Sequence, residues 1–307
     1  MRFISEHKAR FGVEPICRVL SGHGCQIAPS TYYAAAARGP SVRAVRDEQL
    51  KAEIRRVHAD NYGVYGARKV WLALNREGIA VARCTTERLM RELGLHGARR
   101  GKQVRTTRAD AAAARAADLV RRQFAAARPD RLWVADFTYV PTWAGMVYVA
   151  FVIDAYSRRI LGWRAATSMR TALVLDALEH ALWTRRHGGR GSLAGLVHHT
   201  DAGSQYTSIA FTGRLAAAGV SASVGTVGDA YDNALAESVI GLYKTELIKP
   251  GDPWRTAEQV ELATLDYVDW FNHRRLYETC GDIPPAELED AYYRQINSLT
   301  EADPSEN

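Results

Sequence analysis

The chain is poor in the residues that staple small folds or bind soft metals. Its 307 residues include only four cysteines, Cys17, Cys25, Cys84 and Cys280. None forms a Cys-x-x-Cys pair, and no His/Cys group has zinc-site spacing, so neither a disulfide framework nor a zinc module organises the fold. Reduced and mostly buried thiols are expected. Long apolar runs are also missing. No stretch approaches the roughly 18 residues needed to cross a bilayer. The N-terminal MRFISEHKARFGVEPICRVL is basic without a continuous apolar segment, so no signal peptide and no membrane partner are expected. The cytosol is the default location.

What is present is a globular composition, 47% hydrophobic, with charge divided unevenly along the chain. Residues 1–131 hold 26 Lys/Arg against 12 Asp/Glu, whereas residues 132–307 hold 14 against 22. A basic half joined to an acidic half points to nucleic-acid binding beside a region that needs carboxylates.

The length suggests two or three domains. Residues 1–46 are Ala-rich and predict one or two short helices, with a Ser/Thr cap signal in APSTYYAAAA. Residues 47–108 predict a helix-turn-helix region with a basic arm. ARKVWLALNREGI carries Val70, Leu72 and Leu74 at helical spacing, and VARCTTERLMRELGL carries Leu89, Met90 and Leu93. Thr85 or Thr86 can cap the second helix, with Glu87 in its first turn. Arg88 and Arg91 lie three apart on one face of that helix and are candidate DNA contacts. The arm HGARRGKQVRTTR adds Arg99, Arg100, Lys102 and Arg105 as candidate phosphate contacts. Residues 109–128, rich in Ala and Arg, predict a helical linker.

At residue 129 the period changes from helical to alternating. RLWVADFTYV, GMVYVAFVIDAYS and RRILGWRAAT predict an antiparallel meander, with turns near Pro141, Gly145 and Ser157–Arg158. TALVLDALEHALWTRR is a helix, GLVHHT a short strand, SIAFTGRLAAAG a helix and VSASVG another strand. A helix from YDNALAESVIGLYKTELI closes an α/β domain over 129–250. Residues 251–307 predict a small helical segment.

Three carboxylates in this region lie where carboxylates are unusual. Asp136 is mid-strand, where Asp is depleted. Asp201 directly follows an apolar strand, and sites gather at such strand ends. Glu237 lies in the closing helix. At about 100° per residue, Asn233 and Gly241 fall roughly 40° to either side of it and Lys244 roughly 20° away, while Glu246 lies roughly opposite. Glu237 thus heads a polar stripe, with Leu235, Val239 and Leu242 behind it. Asp154 is a competing candidate, but Arg158 and Arg159 are close in sequence, and a structural ion pair is expected there. His198 and His199 precede Asp201; one of an adjacent strand pair points inward, which suits packing or hydrogen bonding. Converging carboxylates repel one another unless hard divalent cations neutralise them, and two such ions about 4 Å apart support in-line phosphoryl transfer.

The blocks LWVADFTYV, HHTDAGSQYTS and GDAYDNALAESVIGLYKTEL resemble the three catalytic blocks of DDE transposases with an integrase core. Thirty-five residues separate Asp201 from Glu237, the interval of the insertion-sequence-three family and of retroviral integrases, and a lysine follows seven after the Glu. YGARKVWLALNREGIAVARCTTERLMRELGL resembles the family's upstream helix-turn-helix, and WFNHRRLYETCGDIPPAELEDAYY its C-terminal block. The match is to the downstream reading-frame product.

The resemblance implies a ribonuclease-H-like core, a mixed five-stranded sheet with flanking helices. Asp136, Asp201 and Glu237 would be its catalytic metal ligands for two Mg²⁺ ions, with Mn²⁺ as substitute. Asn233 and Lys244 would face DNA near the cleaved end, and Tyr206 would shape the site. It implies action on an element's terminal inverted repeats and on target DNA, a homo-oligomer on paired ends, and association with an upstream-frame DNA-binding product. The setting would be the bacterial cytoplasm, at the nucleoid. Ala202 stands where the family usually carries Arg. A DNA-binding regulator with an inactive core, or a nuclease without strand transfer, would start from the same residues.

Overall fold

The computed structural model describes residues 1–99, 120, 126–188, 193–201, 203–225 and 233–302. Arg100, Lys102, Arg105, Ala202 and nearly all of the predicted linker lie outside them.

The N-terminal region forms three helices, not one or two: α1 (Arg2–Phe11), α2 (Val13–Gly22) and α3 (Pro29–Ala37). Gly12, at φ 76°, takes a left-handed turn between α1 and α2 that a side chain would disfavour. Ile4, Val13, Ile16, Cys17 and Tyr32 make a small core of their own.

Helix α4 (Val42–Asp60) starts five residues before the expected boundary, because Ser41 Oγ accepts from the Ala44 amide and caps it. Helices α5 (Ala67–Arg76) and α6 (Arg83–Glu92) follow, joined through Gly78 at φ 81°. Helix α6 begins at Arg83, two residues before the expected Thr cap; Thr86 is instead fully buried, and Glu87 pairs with Arg83 across the first turn.

Strands β1 (Leu132–Thr142), β2 (Gly145–Asp154) and β3 (Ile160–Ala166) form the predicted antiparallel meander. Helix α7 (Thr171–His187), strand β4 (Val197–Thr200), helix α8 (Ile209–Ala217) and strand β5 (Ser221–Val224) complete a mixed sheet in the order β3-β2-β1-β4-β5. Pro141 lies inside β1 rather than at its turn, opposite Met146. Gly162 is required on β3: a Cβ there would come within 2.1 Å of the Ala177 carbonyl of α7.

Helix α9 (Ala234–Tyr243) opens into a π turn (Lys244–Ile248), then a single turn, α10 (Lys249–Gly251). Helix α11 (Ala257–His273) and helix α12 (Pro285–Ala302) end the chain.

The two faces of the sheet bury different partners. Trp133, Ala135, Ala150 and Val152 pack under α7 and α8. Val134, Val149, Phe151 and Ile153 pack under α9 and α11 in a cluster that continues, without a break, into Leu50, Ile54, Val70, Leu74 and Leu89 of α4 to α6. Polar ties cross the same seam. Trp270 Nε1 donates to Asn61 Oδ1 at 3.0 Å, the Leu276 amide donates to the Tyr65 hydroxyl at 2.7 Å, and Arg68 reaches Asp282 with both terminal nitrogens. The helix-turn-helix region is therefore joined to the α/β region through one apolar core.

Asp154 is structural, but not through Arg158 or Arg159. It is fully buried and accepts from the amides of Asp130, Tyr156 and Ser157 at 2.8, 3.0 and 2.8 Å, with Arg185 of α7 at 3.7 Å. Arg159 reaches Glu289 of α12 instead, at 3.0 Å, because Arg185 already fills the space beside Asp154.

Candidate active site

The register of β1 on β4 builds the site. These strands are parallel, pairing Leu132 to Ala135 with Val197 to Thr200. The next residue on each is Asp136 and Asp201. Neighbouring strands run about 4.8 Å apart, so the two carboxylates project side by side where β4 ends. This is also where the strand order reverses direction, the place where open α/β sheets hold ligands.

Each carboxyl is pinned by a local amide. Asp136 Oδ1 accepts from Phe137 N at 2.8 Å, and Asp201 Oδ1 from Gly203 N at 3.1 Å. Gly203 has little room: a Cβ there would lie 3.0 Å from Asp201 Oδ1 and 3.6 Å from Tyr206. Asp136 keeps part of its surface accessible, yet its carboxyl sits deep. Burial first, then the Asp201 charge, hold it well above the usual carboxylate range; Glu237 pushes the same way and Lys244 the opposite way. Asp201 is raised too, mainly by burial.

Glu237 reaches this neighbourhood from α9 and is exposed. Asn233 sets its approach. As the N-cap residue of α9, Asn233 donates from Nδ2 to the Ala135 carbonyl at 3.1 Å, next to Asp136, and its own carbonyl receives the Glu237 amide at 3.0 Å. The family resemblance implies that Asn233 faces DNA. It is 6% exposed, and it anchors the helix to the strand instead.

Two further polar atoms lie near the carboxylates. Asn233 Oδ1 and the Tyr206 hydroxyl are buried without a hydrogen-bond partner. Tyr206 is 2% exposed, packed on Phe137 and Phe211, so it walls the site rather than offering a surface contact to DNA. Burial, then Asp136 and Asp201, hold its hydroxyl in the protonated form. Among the described residues no group of three or more His, Cys, Asp or Glu side chains already stands as a metal cage. The donors present, two adjacent carboxylates, an exposed third and two unpartnered neutral oxygens, suit a hydrated hard cation.

Lys244 lies half-buried at the start of the π turn, its ammonium 4.7 Å from the centroid of the Tyr139 ring. Sequence phase placed the lysine near the carboxylates but gave no sign of the aromatic under it or of the π turn. His199 donates to or accepts from Ser223 Oγ at 2.9 Å, and His198 packs edge-on to Phe211 with burial lowering its pKa to about 3. Both histidines are buried beneath the site.

In the basic region the two helix arginines differ. Arg88 binds Asp47 of α4 at 2.8 Å and Glu92 at 2.7 Å, so the nearest acids already hold it. Arg91 is exposed and lines a groove of about 800 Å³ together with His96 and Arg99.

Comparisons with known proteins agree with this architecture. An HTH-like domain family matches residues 45–103, and integrase core domain families match residues 126–230 and 218–285. The chain is 54% identical over 303 residues to the transposase for insertion sequence element IS629 of Shigella sonnei, covering 97% of this chain and 98% of that one. It is 68% identical over 269 residues to the transposase assigned to IS986/IS6110 of Mycobacterium tuberculosis, covering 88% of this chain and 97% of that one. Among solved structures, a simian T-cell lymphotropic virus intasome bound to the PP2A regulatory subunit B56 gamma aligns at 16% identity and TM-score 0.45, over 77% of this chain and 74% of that one. With these relatives, the chain belongs to the insertion-sequence transposases, DDE polynucleotidyl transferases of the insertion-sequence-three type that pair a helix-turn-helix DNA-binding region with an integrase core.

Proposed function

We propose that Asp136, Asp201 and Glu237 are the catalytic carboxylates and hold two divalent cations, Mg²⁺ or Mn²⁺, for cleavage and joining at the element's terminal inverted repeats. The observation that carries this reading is the parallel register that sets Asp136 beside Asp201 at the end of β4. Cations held there by these carboxylates would supply the charge that stabilises the attacking and leaving oxygens of an in-line phosphoryl transfer. Burial is the main reason both carboxyls hold their protons tightly, and a cation bound between them would favour the charged forms instead. Asn233 holds the first turn of α9 so that Glu237 closes the third side. Lys244 offers an ammonium to a phosphate beside Asp136. Water attacks the phosphodiester at the element's 3′ end, and the freed 3′ hydroxyl attacks a second phosphodiester, without a covalent enzyme intermediate.

Arg91 and Arg99, with Arg100, Lys102 and Arg105 of the arm, contact the repeats. Two ends are held together by a dimer or larger assembly, with an upstream-frame DNA-binding product as partner, at the bacterial nucleoid. Strand transfer with end oligonucleotides in Mg²⁺ or Mn²⁺ tests the site. Asp201→Ala should abolish both cleavage and joining while end binding persists. Unchanged joining by that variant would sink the assignment.

A further inference from the structure

The β1–β2 hairpin leaves the carboxylate site and carries aromatic surface that the proposed chemistry does not use. Tyr139 is 41% exposed and Trp143 is 70% exposed. Each ring has a cation over it: Lys244 at 4.7 Å from the Tyr139 centroid, and Arg255 at 5.3 Å from the Trp143 centroid. Met146, 42% exposed, adds apolar surface opposite Pro141.

This tip is held rigidly. Thr142 Oγ1 donates to the Gly145 carbonyl at 2.7 Å and closes the turn. The Trp143 and Ala144 amides donate to the carbonyls of Trp254 and Arg255 at 3.0 and 3.1 Å. Trp254 is itself buried, and its Nε1 donates to the Ile248 carbonyl at 2.8 Å. An exposed tryptophan on a braced turn loses little conformational freedom when something stacks on it. Scattered apolar side chains are ordinary on surfaces. Two exposed rings on one hairpin, each paired with a cation, match the chemistry that binds unpaired nucleotides: π faces for bases and positive charge for the adjoining phosphates.

The position fits a strand path. At about 3.3 Å per residue, the Tyr139 backbone lies roughly 10 Å along β1 from Asp136 and the end of the strand at Thr142 roughly 20 Å; Tyr139 leaves the sheet face opposite to Asp136, and Lys244 over its ring links it to the carboxylate side. Lys244 links the two places, since it directly follows the helix that carries Glu237 and its ammonium lies over the Tyr139 ring. We propose that the hairpin is a stacking surface for unpaired nucleotides of the DNA strand that runs from the carboxylate site, with Tyr139 as the near platform and Trp143 as the far one. The proposal rests on DNA as the family's substrate and is independent of the metal assignment.

The test uses the full chain without divalent metal, so that no cleavage occurs. Probes are an inverted-repeat duplex with blunt ends and the same duplex with a single-stranded overhang containing 2-aminopurine. The wild type should bind the overhang form more tightly and quench its fluorescence. Trp143→Ala and Tyr139→Ala should each lose about tenfold on the overhang form, with less than a twofold change on blunt duplex, while Trp143→Phe keeps the preference. Thermal midpoints of the variants should match the wild type, because both side chains are exposed. Equal losses on both probes, or no loss on either, would overturn the proposal. Loss of self-association by light scattering with intact overhang affinity would also overturn it, and would make the tip a contact between copies of this chain.

Discussion

Arg275, just after α11, forms a buried bidentate pair with Glu246 of the π turn that carries Lys244. Arg275 Nε donates to Glu246 Oε2 at 2.9 Å and Nη2 to Oε1 at 2.6 Å, and the Tyr267 hydroxyl also donates to Oε2 at 3.0 Å. Both ions are nearly inaccessible to water. Removing one partner leaves a desolvated charge. Arg275→Met should therefore cost about 3–5 kcal/mol in urea unfolding, and the double variant Arg275→Met with Glu246→Leu should recover much of the loss. Equal destabilisation by single and double variants would show that the pair matters only through its packing.

Lys69 reports on the same cluster. Burial first, then the Arg275 charge, lower its pKa from 10.5 to about 8. The unfolded chain keeps the ordinary value, so it binds more protons than the native chain between these two. Stability carried by this residue then rises as pH climbs from about 8 to 10.5, and its penalty is complete below pH 8. Lys69→Met should stabilise the protein at pH 7 by about 1 kcal/mol, after allowing for partial exposure and the lost contact with the Tyr65 ring. The gain should shrink to nothing by pH 10.5. A gain that stays constant across this range would refute the assigned cause.

Tyr206 can be tested by removing one oxygen. Its hydroxyl is buried and unpartnered in the protein alone, a situation worth about 1–3 kcal/mol against folding. Tyr206→Phe should raise the thermal midpoint of the metal-free chain by roughly 2–4 °C per kcal/mol regained. The same variant should show a smaller midpoint rise on adding Mn²⁺ than the wild type does. A fall in the metal-free midpoint would mean that the hydroxyl already has a good partner.

Arg88 and Arg91 separate folding from recognition on one helix. Arg88→Ala should weaken stability measurably through its lost ties to Asp47 and Glu92. Arg91→Ala should leave stability unchanged, weaken binding to an inverted-repeat duplex and reduce its salt dependence by about one phosphate contact. The opposite assignment of these two effects would return Arg88 to the DNA surface.

The element order of the core was legible from period alone, since alternation in VYVAFVID and helical spacing in TALVLDALEHALWTRR speak for themselves. Asp136 stood out because a charge in a strand needs a reason, and Asp201 because strand ends hold sites. Their contact was not legible: parallel pairing of β1 with β4 is set by long-range packing that local sequence does not encode. Helix phase set Asn233 beside Glu237 on a polar stripe, as though it lay inside the helix. As N-cap it leaves the helical path, and its side chain turns to the Ala135 carbonyl. Asp154 is structural as expected, but its charged partner is Arg185 from α7 and not the arginines near it in sequence. The cations over Tyr139 and Trp143 come from segments a hundred residues away, beyond any local reading.

The apolar seam from Leu50 through Tyr65 and Trp270 to Phe151 acts as a ruler. On the assignment proposed above, recognition helices and carboxylates sit in one packed body, so the distance between a recognised repeat and the bond to be cut would be fixed by protein, not by a tether. The element must then carry its recognition sequence at one set spacing from its tip. Shifting that sequence by half a turn of duplex would present the wrong face of the DNA to Asp136 and Asp201, however tightly the repeat still binds.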